Sequence, residues 1–482
     1  MTERLDAALF AACARFGDAV ALADAQTCLS YGQLAAAARE TADALRRTGI
    51  GESEPVLVAT ANASHDIATF LGIWAAGGVV VPVARAAPAA ATEATRAATG
   101  ARFMALGRGT VTRLADTPPP ARPILSGAAF ILFTSGSTGA PKGVVLSHAA
   151  FVPKLAEIDS VLGFSPETRA LLVLQIIFVF GIWYCLLALI KGGSVFMSAR
   201  FDPLATMAEA GERGITDAAF VPTMLRRIVA ADRAAMASLA IRTPLRHIHT
   251  GGEPFNAALG ERVRALLPQA AIIDIYGLTE TCTSNFFAVT PPSDPFSGAI
   301  GRVARRDQFR IADAAGQDLP QGEVGELQIK TPFIMNGYLD QPELTRASFA
   351  GDFFRTGDLA RLRADGTVEL TGRAKDLINR AGAKISPLEL DGIIAQHPGV
   401  SAALSVGVAD AMTGERIHVL VVPRAGGRLD ETALRDWVAA RVEKYKRPDV
   451  YHFAADLPVG RTGKVDREAL RRSIAGEPGT GN

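Results

Sequence analysis

Two patterns alternate along the first 125 or so residues. Alanine-rich stretches with helical spacing, such as Leu34–Leu45, are followed by short apolar runs, Pro55–Thr60 and Val79–Val83. Apolar positions three and four apart predict helices, and short continuous apolar runs predict buried strands. Their alternation implies parallel sheet covered by helices. Pro88 is placed to open a further helix, Ala89–Ala98, and Thr117–Pro123 (TPPPARP) reads as a surface connector. Ala128–Phe133 then reads as a strand, Val144–Leu146 as a second one, and Ser147 as the cap of a helix starting near His148. Ile215–Val221 is strand-like and runs into a helix start at Pro222-Thr223. Gly298–Pro342 has the strand-and-turn character of a small β-rich subdomain. From about residue 376 to 475 the strand-like Ala402–Val408 and Ile417–Val422 alternate with amphipathic helices at Pro387–Gln396 and Glu431–Lys444. That unit is of independent-domain size. The expected fold is a large α/β N-terminal domain, with parallel sheets covered by helices and a β-rich subdomain, over residues 1–374. A smaller α+β C-terminal domain follows over 375–482.

One apolar stretch competes with this picture. Leu171–Ile190 is 20 residues long and uncharged, enough by hydropathy to span a bilayer. It stands alone, and Gln175 and Gly181 interrupt it, so a buried wall of an apolar pocket is the stronger expectation.

Composition narrows the function classes. A chain of 482 residues exceeds one ordinary core. The formal net charge of +1 argues against a generally electrostatic nucleic-acid binder. Four scattered cysteines, with no C-x-x-C pair, suggest a reduced compartment and neither a zinc site nor a disulfide framework. The N-terminus, MTERLDAALF, lacks the apolar core of a signal peptide. A cytoplasmic protein without an integral membrane span is expected.

Chemistry concentrates first in Phe133–His148, FTSGSTGAPKGVVLSH. Hydroxyls (Thr134, Ser135, Ser137, Thr138), glycines (Gly136, Gly139, Gly143) and a cation (Lys142) are what an oligophosphate needs. The Gly-x4-Gly-Lys-[Ser/Thr] nucleotide loop is absent, and this loop lies between two strands instead. In isolation it also fits a flexible Ser/Gly linker. Further along stand His249–Pro254 (HTGGEP), Asp274–Thr281 (DIYGLTET), Phe354–Leu359 (FRTGDL), Gly372–Asp376 (GRAKD), Asn379–Pro387 (NRAGAKISP) and Pro458–Arg467 (PVGRTGKVDR).

These motifs, in this order and over essentially the whole chain, closely resemble the signatures of adenylate-forming enzymes: acyl-CoA synthetases, aryl-acid ligases, nonribosomal-peptide adenylation domains and firefly-type luciferases. The resemblance implies an AMP-forming acid–thiol ligase that uses ATP, Mg²⁺ and coenzyme A. Thr134, Ser135, Gly136, Ser137, Thr138, Gly139 and Lys142 would bind the ATP phosphates. Gly251, Gly252, Glu253, Asp274, Tyr276, Gly277, Asp358 and Arg373 would surround adenine and ribose. Thr279 would bond phosphate or the acyl carboxylate, Glu280 would hold Mg²⁺, and Lys464 would bridge the carboxylate and the α-phosphate. Lys375 falls at the family's hinge, which makes the C-terminal domain mobile, and Arg380, Ala381 and Gly382 would line the thiol tunnel.

The acyl pocket would draw on Phe178, Ile182, Phe220, Gly252, Gly277 and Cys282. Phe178 stands where many relatives carry a gating histidine. No acid lies between Arg169 and Lys191, which disfavours an amino-acid substrate. The apolar, aromatic-rich wall favours an aromatic or medium-length aliphatic acid. Arg227 is a candidate for a second substrate carboxylate, against a solvated arginine on a helix face. Lys444, Lys446 and Arg447 are candidates for CoA phosphates, against a solvated basic helix end. Two rivals remain open: a free-standing enzyme that loads a carrier-protein phosphopantetheine thiol, and a nucleotide-binding protein without turnover. The partners expected are a small carboxylic acid and CoA or an acyl carrier protein, with the chain as monomer or homodimer.

Overall fold

A computed structural model describes residues 4–134, 141–410, 412–424, 429–460 and 464–476. Two large sheets dominate. The first has seven strands in the order Gly337–Tyr338, Lys142–Ser147, Ala128–Thr134, Val79–Ala84, Pro55–Thr60, Phe103–Gly107, Thr110–Arg113. In the second, nine strands run from Arg302–Val303 through Phe286–Thr290, Ala271–Tyr276, His247–Gly251, Asp217–Phe220, Arg169–Leu172, Ser194–Met197 and Val20–Ala23 to Cys28–Ser30. The six strands from Ala271–Tyr276 to Val20–Ala23 pair in parallel. In the first sheet Pro55–Thr60 pairs in parallel with both Val79–Ala84 and Phe103–Gly107, as the helix–strand alternation of the first 125 residues predicts.

Between the sheets lies one core. Val56, Val80 and Phe130 from the first sheet meet Leu22, Leu172 and Ile273 from the second, through the helices Leu5–Phe16, Tyr31–Arg47, Ser64–Ala75, His148–Leu162 and Val179–Ile190. Trp74 and Phe130 meet edge to face at 5.1 Å, and the Trp74 indole donates to the Ala129 carbonyl at 2.8 Å. The edge-to-face arrangement suits the ring quadrupoles. Ser30 caps Tyr31–Arg47 in a reciprocal box with Gln33, and Ser147 accepts from the Ala150 amide to cap His148–Leu162. The fully buried Tyr31 places its hydroxyl 2.9 Å from the Leu189 carbonyl and 2.7 Å from that of Gly193, so this early segment has a structural role.

The stretch Leu171–Ile190 splits at a turn held by Asn62, whose amide donates to the Leu174 carbonyl and whose carbonyl accepts from the Ile176 amide. Its helical part, Val179–Ile190, has 12 residues, about 18 Å of rise against the ~30 Å of a bilayer core. Among the described residues no helix is long and apolar enough to cross a membrane; the run is core.

Two smaller sheets follow. Gln308–Ala312, Gly325–Lys330, Phe349–Ala350, Phe353–Leu362 and Val368–Arg373 form a β-rich subdomain, whose last hairpin turns at Asp365-Gly366. It extends to Arg373, past the expected Gly298–Pro342, and two strands of that range, Arg302–Val303 and Gly337–Tyr338, join the large sheets instead. Ile378–Arg380, Ala383–Ile385, Val400–Asp410, Gly414–Pro423 and Val450–Phe453 form the C-terminal sheet, with helices Pro387–Ile394, Glu431–Ala439 and Arg467–Ala475. The helix expected to reach Lys444 stops at Ala439, where the Arg447 guanidinium takes up the Ala439 carbonyl at 2.8 Å. Pro88 likewise sits just before the helix Ala89–Thr99 rather than inside it.

Candidate active site

Three neighbouring parallel strands of the nine-stranded sheet, Asp217–Phe220, His247–Gly251 and Ala271–Tyr276, end on the same side. Ligands of open α/β sheets gather beyond such carboxyl ends. Thr223, Gly252 and Glu253, and the segment from Gly277 to Glu280 follow these ends directly. Glycine is needed here for close approach: a Cβ at Gly251 would lie 2.2 Å from the Ile275 carbonyl oxygen, and one at Gly277 would lie 2.2 Å from the Ser284 amide.

The first constellation joins three distant motifs. The Tyr276 hydroxyl donates to Asp358 Oδ2 at 2.6 Å, and Arg373 Nε donates to Asp358 Oδ1 at 2.7 Å. Asp358 is buried. Burial and the Asp358 carboxylate push the Tyr276 phenol far above its ordinary pKa, so it stays a donor. Asp274, on the same strand, lines a small crevice with Phe255, Ala288 and Phe296, and burial pushes its carboxyl up to about 8.

The second constellation brings in the C-terminal segment. A Cβ at Gly252 would lie 2.8 Å from Lys464 Nζ. The left-handed φ of +79° at Gly252 already favours glycine. The Val465 amide donates to Glu253 Oε1 at 2.6 Å. Glu253 also accepts from the Thr223 amide at 2.8 Å, from the Thr223 hydroxyl, and from Arg226 at 3.3 Å. Desolvation lowers the Lys464 pKa, the Glu253 carboxylate opposes that, and Arg373 adds to it, which ties this cluster to the first.

In the third, Tyr338 donates its hydroxyl to Glu280 Oε1 at 2.9 Å, and Lys142 Nζ stands 5.4 Å from the Tyr338 ring centroid. Among the described residues no donor reaches Glu280 Oε2, and no group of three or more His, Cys, Asp or Glu side chains gathers to hold a metal. A cation held by one carboxylate and completed by substrate phosphates and water is the usual Mg²⁺ arrangement, so the donors present fit that ion.

Paired hydroxyl, carboxylate and guanidinium beside a desolvated lysine suit a nucleotide and an anion brought together. The sequence matches the AMP-binding enzyme family over residues 9–119 and 108–339, and the AMP-binding enzyme C-terminal domain over residues 389–464. The chain belongs to the AMP-binding enzyme family. It is 29% identical over 474 residues to a feruloyl-CoA synthase of Amycolatopsis sp, covering 94% of this chain and 96% of that one. It is 33% identical over 364 residues to a sulfoacetate–CoA ligase of Cupriavidus necator, covering 73% and 68%. ATP-bound MatB from Rhodopseudomonas palustris superposes with a TM-score of 0.84 at 25% identity, covering 98% and 99%.

The structure of this AMP-binding enzyme places the remaining candidates unevenly. Thr134 and Lys142 pair across the two strands that bracket the phosphate loop. Ser135, Gly136, Ser137, Thr138 and Gly139 lie outside the described residues. Thr279 is partly buried on the loop that carries Glu280. Ile182 and Cys282 are fully buried in the core between the sheets, and Phe178 is partly buried at the cap of Val179–Ile190. Phe220 does not join them. Along Ala218–Val221 the residues alternate between two cores, and Phe220 points with Ala218 into the second, 6.4 Å from Phe201. Expected to share a wall with Ile182 and Cys282, it faces away because strand side chains alternate.

Glu253 was expected beside adenine. Its carboxylate instead docks the Lys464 segment and the helix Pro222–Ala230. Arg227, the candidate for a second carboxylate, is exposed with its guanidinium 5.3 Å from the Phe201 ring centroid. Arg226, which sequence reasoning passed over, faces Glu253. His249 is fully buried, linked to Asp217 at 3.3 Å and packed on Tyr184. Lys375 is exposed in the short turn Ala374–Asp376.

Arg380 donates to the Arg447 carbonyl at 2.9 Å and to Asp449 at 2.6 Å, so its guanidinium is engaged within the C-terminal domain. Ala381 and Gly382 form the hairpin tip between Ile378–Arg380 and Ala383–Ile385, both with positive φ. Lys446 pairs with Glu389 at 2.9 Å and Glu443 at 3.3 Å. With Arg447 bound to carbonyls, two of the three basic candidates for CoA phosphates serve local structure.

Proposed function

We propose that this enzyme ligates a carboxylic acid to the thiol of coenzyme A in two steps through an acyl-adenylate. The observation that carries the reading is the meeting of Tyr276, Asp358 and Arg373 with Lys464 at Gly252. Residues from both family-matched regions converge on one place. Asp358 accepts from both ribose hydroxyls in this reading, and Tyr276 lies along the adenine with Gly251, Gly252, Asp274 and Gly277. Thr134, Lys142 and the intervening loop bind the phosphates, and Thr279 donates to phosphate or to the acid.

In the first step an oxygen of the substrate carboxylate attacks the α-phosphorus, and the bond to the β-phosphate oxygen breaks, releasing pyrophosphate. Two anions must approach, so cationic groups carry much of the catalysis. Lys464 bridges carboxylate and α-phosphate, and Lys142 faces the leaving phosphates. Mg²⁺ bound at Glu280 would neutralise phosphate charge. Holding both substrates in one cleft removes much of the entropic barrier. In the second step the thiol loses its proton as its sulfur attacks the acyl carbon, and the bond from that carbon to the AMP oxygen breaks.

Residues 375–482 act as a unit that pivots at Lys375, presenting Lys464 first and the Arg380–Gly382 hairpin to the thiol second. The apolar surroundings of Ile182 and Cys282, with Phe178 at their edge, favour an aromatic or medium-length aliphatic acid. The feruloyl-CoA synthase similarity agrees with an aromatic one.

The test is AMP and pyrophosphate release from MgATP with benzoates, cinnamates, aliphatic acids and sulfoacetate, each with and without CoA. CoA-dependent turnover with one acid class supports the reading. A pyrophosphate burst indifferent to CoA points to a carrier-protein thiol, and no acid-dependent pyrophosphate overturns the ligase.

A further inference from the structure

Sequence reasoning gave the segment 335–339 only strand and turn character. In the structure it binds two parts of the site at once. The Asn336 amide donates to the Val145 carbonyl, and the Leu339 amide to that of Gly143, both at 2.8 Å. Gly337 and Tyr338 thereby pair with Val145 and Val144 on the strand that leaves the phosphate loop. On the other side the Met335 amide donates to the Glu280 carbonyl at 2.9 Å. Tyr338 itself is 3% exposed. Its hydroxyl reaches Glu280 Oε1, and its ring lies under Lys142.

We propose that Tyr338 is a positioning residue for acyl-adenylate formation. Its hydroxyl fixes the Glu280 carboxylate with Oε2 turned to the metal, and its ring sets the distance of Lys142 from that carboxylate. This rests on the function proposed above. A carboxylate with both oxygens free samples several orientations about its last torsion, a broad one. A donor on one oxygen restricts that freedom. The contact spans 58 residues of sequence, and the short strand that carries Tyr338 is anchored further by Thr345, whose hydroxyl accepts from the Tyr338 amide at 2.9 Å.

The decisive variant is Tyr338→Phe, which keeps the ring and its packing and removes only the donor. Donors behind metal ligands are typically worth about 10–100-fold in metal affinity or activity. Acyl-adenylate formation is expected to slow by about tenfold or more, with a matching rise in the Mg²⁺ concentration for half-maximal rate. Thioester formation from supplied acyl-adenylate and the melting temperature should stay near wild type. Unchanged adenylation and Mg²⁺ dependence would overturn the proposal, as would equal slowing of both half-reactions with lowered melting, the mark of a merely structural role. If the wild type forms no acyl-adenylate, the functional reading fails first. Calorimetric affinity for Mn²⁺–ATP then decides the inference separately: weaker binding by Tyr338→Phe supports it, and equal binding overturns it.

Discussion

Asp274 carries a buried carboxyl with a pKa of about 8. Between about pH 4 and 8 the folded protein keeps a proton that the unfolded chain has lost, so this group makes stability fall as pH rises, by up to ~1.4 kcal/mol per pH unit. Asp274→Asn should flatten that fall. Urea midpoints of both proteins from pH 5 to 8 check this, and parallel curves would contradict it. Lys464 offers the sharper functional prediction. Lys464→Ala should cut acyl-adenylate formation by several orders of magnitude while sparing thioester formation from supplied acyl-adenylate. Equal loss in both half-reactions, measured in single turnover, would remove the assigned role. At this scale Asp358, Arg373, Tyr276 and Lys464 were legible because each lies in a motif of fixed spacing. Tyr338 and Arg226 were not, since their partners, Glu280 and Glu253, lie far along the chain. Phe220 carried a usable signal: the alternation of its strand already sets it opposite Ala219.

The element that most needs support is the loop 276–285. Cys282, Thr283 and Ser284 have φ of 54°, 70° and 35°, a left-handed run costing roughly 1–2 kcal/mol per residue. A buried polar chain holds it. Lys154, 1% exposed, donates to Glu157 at 2.8 Å and to Asp307 at 2.9 Å. Asn285 donates to Asp307 at 2.7 Å, and the Thr281 hydroxyl donates to Asn285 Oδ1. Lys154→Met would leave two carboxylates buried without their cation, at a cost of about 3–5 kcal/mol. Chemical denaturation reads this directly, and a loss under ~1 kcal/mol, in the range of an exposed pair, would contradict it. Elements with local signals were legible: the cap Ser147 and the proline opening Pro222–Ala230. The end of Glu431–Ala439 was not, because the Arg447 contact that stops it is tertiary. The Lys154–Asp307 pair, 153 residues apart, leaves no local trace at all.

Across the whole molecule the arrangement is one state of the proposed cycle. Glu253 holds the Val465 amide, and Lys464 lies over Gly252. Presenting the Arg380–Gly382 hairpin to a thiol requires that contact to break and the turn Ala374–Asp376 to swing. Lys375→Pro fixes one backbone torsion in that turn and should slow thioester formation several-fold more than adenylation, as read by single-turnover kinetics of each step. Equal slowing of both would argue against the pivot. The layered architecture was readable from the alternation of patterns, because each pattern is set by local periodicity. Which face of the C-terminal domain meets the large one was not, because that depends on a few contacts such as Glu253 to Val465.

The most direct measurement of the central claim is mass detection of the adenylate itself. The enzyme is incubated with MgATP and the acid preferred in the substrate panel, and CoA is withheld, then added. Enzyme-bound acyl-AMP is expected before CoA, and its conversion to acyl-CoA with an equal amount of AMP afterwards. Acyl-CoA formed with ADP and phosphate, and no acyl-AMP at any time, would contradict it.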